Sequence, residues 1–185
     1  MQNARHQIMT VPNLLSLVRL CLIPLFSALY MGGHTLLTAF ILILSGLTDA
    51  VDGWYARKFN AVSSVGKILD PVADKLTQGV MLLLLVNNHP VLLIPLILLF
   101  IKEVSCSLLG YVVIHKTANV PQAVWHGKVA TILLDLMLVI HVFWQGIPVV
   151  ASNIQVVVCS FMMLLSMILY IRQYLLILKT VRADR

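Results

Sequence analysis

The chain has 185 residues, of which 60% are hydrophobic and 11% charged, with a formal net charge of +6 and a mean hydropathy of +0.96. A soluble domain carries about 25% charged residues, so this composition excludes one and indicates a protein built into a lipid bilayer. The basic residues form no patch interleaved with stacking aromatics, which argues against a nucleic-acid partner.

A hydrocarbon core of roughly 30 Å is crossed by about 20 helical residues. On that ruler the sequence predicts six spans, at residues 11–31, 35–58, 66–87, 90–115, 126–146 and 149–178. The expected fold is all-α, a polytopic membrane protein of six transmembrane helices in one bundle, forming a single domain over residues 1–185.

The first span opens with "TVPNLLSLVRLCLIP", in which Asn13, Ser16 and Arg19 recur every three residues and can form one polar stripe. A charged residue well inside a span costs about 3 kcal/mol. Arg19 therefore either faces a polar cavity or snorkels to the interface. No small-residue cleavage pattern follows this run, so it is expected to remain in the mature protein.

The second and third spans hold four of the seven acidic residues, Asp49, Asp52, Asp70 and Asp74. Residues three or four apart share a helical face, so the aspartates form two pairs on helices joined by about a dozen residues. Four carboxylates converging on one volume repel strongly unless cations intervene. Oxygen-only ligands favour hard ions such as Mg²⁺, Mn²⁺ or Ca²⁺, and a two-metal cluster suits phosphoryl displacement. The alternative is that these acids cap helices and pair with Arg57, Lys58, Lys67 and Lys75; Asp70 before Pro71 has the form of an N-cap with a first-turn proline. Gly53 and Ala56 leave space for a base or diphosphate to approach the backbone, or serve small-residue helix packing. Arg57 and Ser63 or Ser64 can hold a phosphate.

The fourth span contains Lys102 and Glu103, which either line a site or form an ion pair that fixes packing. In the fifth, "WHGKVAT" puts Lys128, Thr131 and Asp135 on one face. Lys128 can bind a phosphate or act as a positive-inside anchor, and His126 can join it or be structural. The sixth span is longer than a bilayer requires. Between spans, "MGGH", "NNHP" and "QGIP" suit tight turns. Cys21, Cys106 and Cys159 have no ligand or disulfide spacing and are expected to pack.

Basic residues collect in cytoplasmic segments. Arg5, Arg57, Lys58, Lys67, Lys116, Lys128, Arg172, Lys179, Arg182 and Arg185 all fall on one side of the six-span arrangement, and the three opposite turns hold none. Both termini, the aspartates and a polar cavity around them are expected to face the cytoplasm. The surplus charge also suits anionic lipid head groups.

Asp49, Asp52, Gly53, Ala56, Arg57, Gly66, Asp70 and Asp74 reproduce the pattern D-x2-D-G-x2-A-R-x8-G-x3-D-x3-D. That pattern resembles the signature of the CDP-alcohol phosphatidyltransferases, with all eight defining positions at matching intervals. The resemblance implies a six-helix membrane enzyme, usually a homodimer, that passes a substituted phosphate from a CDP-linked lipid to an alcohol and releases CMP. It implies two ions, Mg²⁺ or Mn²⁺, one held by Asp49, Asp52 and Asp70 and one by Asp49, Asp70 and Asp74. It makes Asp74 the general base and surrounds the CDP moiety of CDP-diacylglycerol with Asp49, Asp52, Gly53, Ala56, Arg57, Ser63 and Gly66.

Within that family the opening segment and "GKILDPVADK" are similar to bacterial phosphatidylglycerophosphate synthases and to eukaryotic-type cardiolipin synthases. "WHGKVAT" is similar to the former, which implies glycerol 3-phosphate as the acceptor and a bacterial cytoplasmic membrane. Lys102 stands where those synthases often have Arg, a departure in bidentate phosphate recognition. The acceptor-binding candidates are Arg19, Lys102 and Lys128. Phosphatidylglycerol, serine and inositol phosphate are the alternative acceptors. An ion transporter is the alternative class, though such proteins more often place ionisable groups at the bilayer midplane within paired repeats.

Overall fold

A computed structural model describes the backbone of residues 11–58, 66–117 and 124–183, and the side chains of residues 14–48, 70–116 and 124–180. Among the described residues six α-helices follow in order: α1 (Val11–Met31), α2 (Thr35–Lys58), α3 (Gly66–Val86), α4 (Leu93–Thr117), α5 (Trp125–Phe143) and α6 (Val149–Ala183). No strand occurs among the described residues. Inside a bilayer every backbone N–H and C=O needs an internal partner, which a continuous helix supplies.

The turns account for where the helices stop. At the end of α1 the N–H of His34 donates to the carbonyl of Leu29 at 2.9 Å and that of Gly33 to Tyr30 at 3.0 Å. Gly33 has a φ of 77°, so this is a Schellman cap, in which a glycine takes the left-handed position. Before α4, Pro90–Leu92 forms a 3-10 turn with proline in its opening position, where a missing N–H breaks no bond. α5 ends three residues short of the predicted span, and the N–H of Trp144 donates to Ile140 at 2.8 Å. α6 runs on to Ala183, past the predicted 178.

The start of α3 agrees with the predicted span from 66 and overturns the alternative N-cap at Asp70. α3 begins at Gly66, so Pro71 lies inside the helix and Asp70 is not its N-cap. The missing N–H of Pro71 leaves the carbonyl of Lys67 without its i+4 donor.

Among the described residues, four helical stretches are long and apolar enough to cross a membrane: Leu14–Met31, Pro90–Lys116, Trp125–Phe143 and Val149–Thr180. In α2 the described side chains form an apolar stretch, Thr35–Thr48, and Asp49 and Asp52 follow it in the sequence. α3 carries Asp70, Asp74 and Lys75 in its described part. By sequence, both helices carry charged residues within their length.

The described residues fall into two units. In the first, α1 packs on α2, and the buried residues include Phe26, Ala39, Leu42, Ala73, Met81 and Leu85, with Leu138 and Val142 from the end of α5. In the second, α4 packs on α6 and the 3-10 turn touches both, around Leu92, Leu99, Val113, Leu134, Val156 and Met163.

The exposure pattern is inverted relative to a soluble protein. Leu17, Phe40, Phe100, Ile154 and Phe161 are exposed, while Ser16, Arg19, Gln78, Lys102, His126, His141 and Ser166 are buried. Such a distribution is stable where the surroundings are hydrocarbon, because polar groups then turn toward other protein. The chain is a multi-pass membrane protein. Of the cysteines expected to pack, Cys159 is buried, Cys106 half-buried and Cys21 exposed.

Candidate active site

α3 presents one stripe that passes from half-buried carboxylates to fully buried apolar residues. Asp70, Asp74 and Gln78 follow at four-residue intervals and continue into Met81, Leu82 and Leu85, all three of which are fully buried. Facing the carboxylates are two polar residues of α1. The Ser16 hydroxyl donates to Asp70 Oδ1, and Arg19 Nη1 donates to Asp74 Oδ1.

The spacings explain the match. Positions three apart on α1 and four apart on α3 each amount to about one helical turn, so two neighbouring helices meet in two successive rungs. Ser16 is 0% and Arg19 2% exposed, while the Asp74 side chain keeps 32% of its surface. Arg19 therefore does not snorkel. Its guanidinium is sequestered against a carboxylate that remains open to a ligand.

The other motif residues lie partly outside the described residues. The helical backbone of α2 runs through Asp49, Asp52, Gly53, Ala56 and Arg57, and Gly66 opens α3. Their side chains, and Ser63 as a whole, lie outside the described residues. Among the described residues no group of three or more His, Cys, Asp or Glu gathers. The described donor set is two carboxylates one helical turn apart. These are hard oxygen ligands of the kind Mg²⁺ and Mn²⁺ select, and a carboxylate offers roughly four acceptor positions. The pair fits a divalent cation, with further ligands required from residues such as Asp49 and Asp52.

The second unit holds a separate polar group. Lys102 is buried and its amine lies 3.4 Å from Glu103 Oε1, so these two form the ion pair foreseen as one alternative. His126 is buried, with Nδ1 3.2 Å from the Ser166 hydroxyl and its ring edge-on to Tyr170 at 4.7 Å. The Tyr170 hydroxyl accepts from the N–H of Val124 at 3.1 Å. This is the structural alternative for His126. Lys128 is exposed, as a ligand-reaching amine or an interfacial anchor would be. Thr131, expected to share its face, donates to the carbonyl of Gly127 at 3.0 Å within its own helix.

Ser16 is the residue whose role in this site the sequence did not reveal. Its signal was present in the three-residue stripe ending at Arg19, but nothing in the sequence named the opposing helix.

Residues 9–172 match the CDP-alcohol phosphatidyltransferase family. The chain belongs to that family. A CDP-diacylglycerol–glycerol-3-phosphate 3-phosphatidyltransferase of Aquifex aeolicus is 31% identical over 167 residues, covering 88% of this chain and 94% of the relative. The protein of that name from Rickettsia typhi is 37% identical over 100 residues, 52% of this chain and 56% of the relative. A cardiolipin synthase (CMP-forming) of Streptomyces coelicolor is 42% identical over 79 residues, covering 38% of this chain and 35% of its own length. The chain thus spans about half the length of the Rickettsia relative and nearly all of the Aquifex one. In this CDP-alcohol phosphatidyltransferase, the last two aspartates of the family pattern are the pair that Ser16 and Arg19 engage.

Proposed function

We propose that the chain transfers a phosphatidyl group from CDP-diacylglycerol to glycerol 3-phosphate, giving phosphatidylglycerophosphate and CMP in phospholipid biosynthesis. The observation that carries this reading is the pair Asp70 and Asp74, held side by side on α3 in a chain whose residues 9–172 match the family. Residues 1–185 act as one catalytic domain, working as a homodimer in a bacterial cytoplasmic membrane with the site and both termini on the cytoplasmic side. The one-sided distribution of Lys and Arg supports that orientation.

Asp74 is the general base. It takes the proton of the acceptor hydroxyl, whose oxygen attacks the lipid-bearing β-phosphorus in line. The bond from that phosphorus to the bridging oxygen breaks, and CMP leaves with the electron pair. Asp49, Asp52 and Asp70, with Asp74, would hold two divalent ions, Mg²⁺ or Mn²⁺, which when bound supply charge stabilisation for the phosphates. Gly53, Ala56, Arg57, Ser63 and Gly66 cradle the CDP moiety, with small residues admitting the diphosphate close to the backbone. Lys102 and Lys128 are the candidate binders of the acceptor phosphate. Arg19, grouped with them on sequence grounds, lies against Asp74.

A second reading is transfer to phosphatidylglycerol, giving cardiolipin, and the Streptomyces relative supports it. One assay separates the readings: CMP release from CDP-diacylglycerol by purified protein with Mg²⁺ or Mn²⁺, run with glycerol 3-phosphate, phosphatidylglycerol, serine or inositol phosphate. Glycerol 3-phosphate is expected to give the fastest release, abolished by a chelator. No CMP with any acceptor would overturn the enzymatic reading, and a preference for phosphatidylglycerol would shift it to the second.

A further inference from the structure

We infer that Arg19 is a resident countercation of the aspartate site, a positioning residue that orients Asp74 and weakens divalent-cation binding there. The inference rests on the phosphatidyltransferase reading above. Its physical basis is the Arg19–Asp74 pair itself, together with its burial asymmetry. The guanidinium is 2% exposed and the carboxylate 32%, so the cation is fixed and the anion retains an open side.

A buried arginine cannot shed its proton and is stable only beside an acceptor. Asp74 is its described carboxylate partner. Ser16 does the equivalent for Asp70 without adding charge. The two rungs therefore differ in kind. At Asp70 the hydroxyl fixes orientation and leaves the anion's full charge, whereas at Asp74 the guanidinium fixes orientation and offsets that charge.

Two consequences follow, with opposite signs. Like charges a few ångströms apart in a poorly solvated place repel, so Arg19 raises the free energy of any divalent cation sharing Asp74. Removing its charge should tighten metal binding. Arg19 also selects the rotamer of Asp74, and a misplaced general base is a slow one. Removing it should lower turnover. A purely structural arginine predicts otherwise, because damage to the site would weaken metal binding and turnover together.

The experiment uses the full chain in lipid nanodiscs and reads Mn²⁺ binding by electron paramagnetic resonance alongside CMP release at saturating metal and donor. For Arg19→Gln, Mn²⁺ is expected to bind about threefold or more tightly than to the unaltered chain, while kcat falls roughly tenfold or more. Arg19→Lys keeps the charge and loses the fork, so its Mn²⁺ affinity should stay within about twofold while kcat still falls. It also serves if the glutamine variant does not fold, as judged by circular dichroism. Unchanged or weaker Mn²⁺ binding by a folded Arg19→Gln would overturn the countercation role, as would a more than twofold change in Arg19→Lys. Full turnover in either variant would overturn the positioning role. If the unaltered chain neither binds Mn²⁺ nor releases CMP, the proposed function has failed instead, so the two failures are distinct.

Discussion

Arg19 on α1 and Asp74 on α3 form an ion pair in which the arginine is buried and the aspartate is partly open. That asymmetry suits a carboxylate that must exchange a proton with a visiting hydroxyl. Exposure on one side admits the acceptor, and a fixed donor on the other holds the oxygen in place. Asp74→Asn keeps the shape and removes the base. CMP release is expected to fall by about 10²–10⁴-fold, with binding of CDP-diacylglycerol largely retained when measured directly. Full activity in this variant would remove Asp74 from the mechanism.

Recognition of the acceptor is predicted to depend on charge at Lys128, an exposed residue near the start of α5. Lys128→Ala should raise KM for glycerol 3-phosphate roughly tenfold, the size of one charge-assisted contact of about 1.5 kcal/mol. kcat should change little, since the contact is made equally before and during the reaction. An enzyme that prefers an uncharged alcohol and is indifferent to Lys128→Ala would sink the phosphorylated-acceptor reading.

Much of the architecture was legible because lipid solvation imposes a length on each apolar run. The predicted 11–31 and 35–58 coincide with α1 and α2, whose shared turn "MGGH" carries its own signal in glycine. Less legible were features decided by contacts or local geometry. The 3-10 turn at Pro90–Leu92 is one; the start of α3 at Gly66 matched the predicted span, and the alternative N-cap at Asp70 arose because a proline one turn into a helix and a proline at its first position look alike in sequence. At the site, helical spacing paired Asp70 with Asp74 and aligned Ser16 with Arg19. Which helix faced which is a tertiary fact, and no local pattern encoded it. The same holds for His126, whose partners Ser166 and Tyr170 lie some forty residues away.

Glycines at two positions should respond oppositely to alanine. Gly33 has a φ of 77°, and a Cβ there is opposed by its own backbone even though no neighbouring atom lies within 4 Å. Gly33→Ala should cost about 1–2 kcal/mol, and Gly33→Asn less, because asparagine tolerates the left-handed region. Gly46 lies inside α2 with open space around it. Gly46→Ala should be neutral or stabilise by up to about 1 kcal/mol, the difference in helix propensity. Thermal unfolding in detergent would read both variants in one assay, and equal shifts would refute the conformational explanation at Gly33.

Gly127 is constrained by a neighbour instead. A Cβ there would sit 2.5 Å from the Tyr170 hydroxyl and 2.9 Å from its Cε2, while the same hydroxyl accepts from the N–H of Val124 at 3.1 Å. Tyr170 therefore has little freedom to withdraw without losing a bond. Gly127→Ala is expected to destabilise by about 1–3 kcal/mol, the usual range for overpacking. Tyr170→Phe alone should cost about 1 kcal/mol by removing the acceptor. In the Tyr170→Phe background the alanine penalty should shrink, because the nearest obstructing atom is gone, yet it should not vanish, because the ring carbon remains. A penalty of the same size in both backgrounds would show that the hydroxyl is not the obstacle, and would assign the requirement for glycine to the ring or to the backbone of α5.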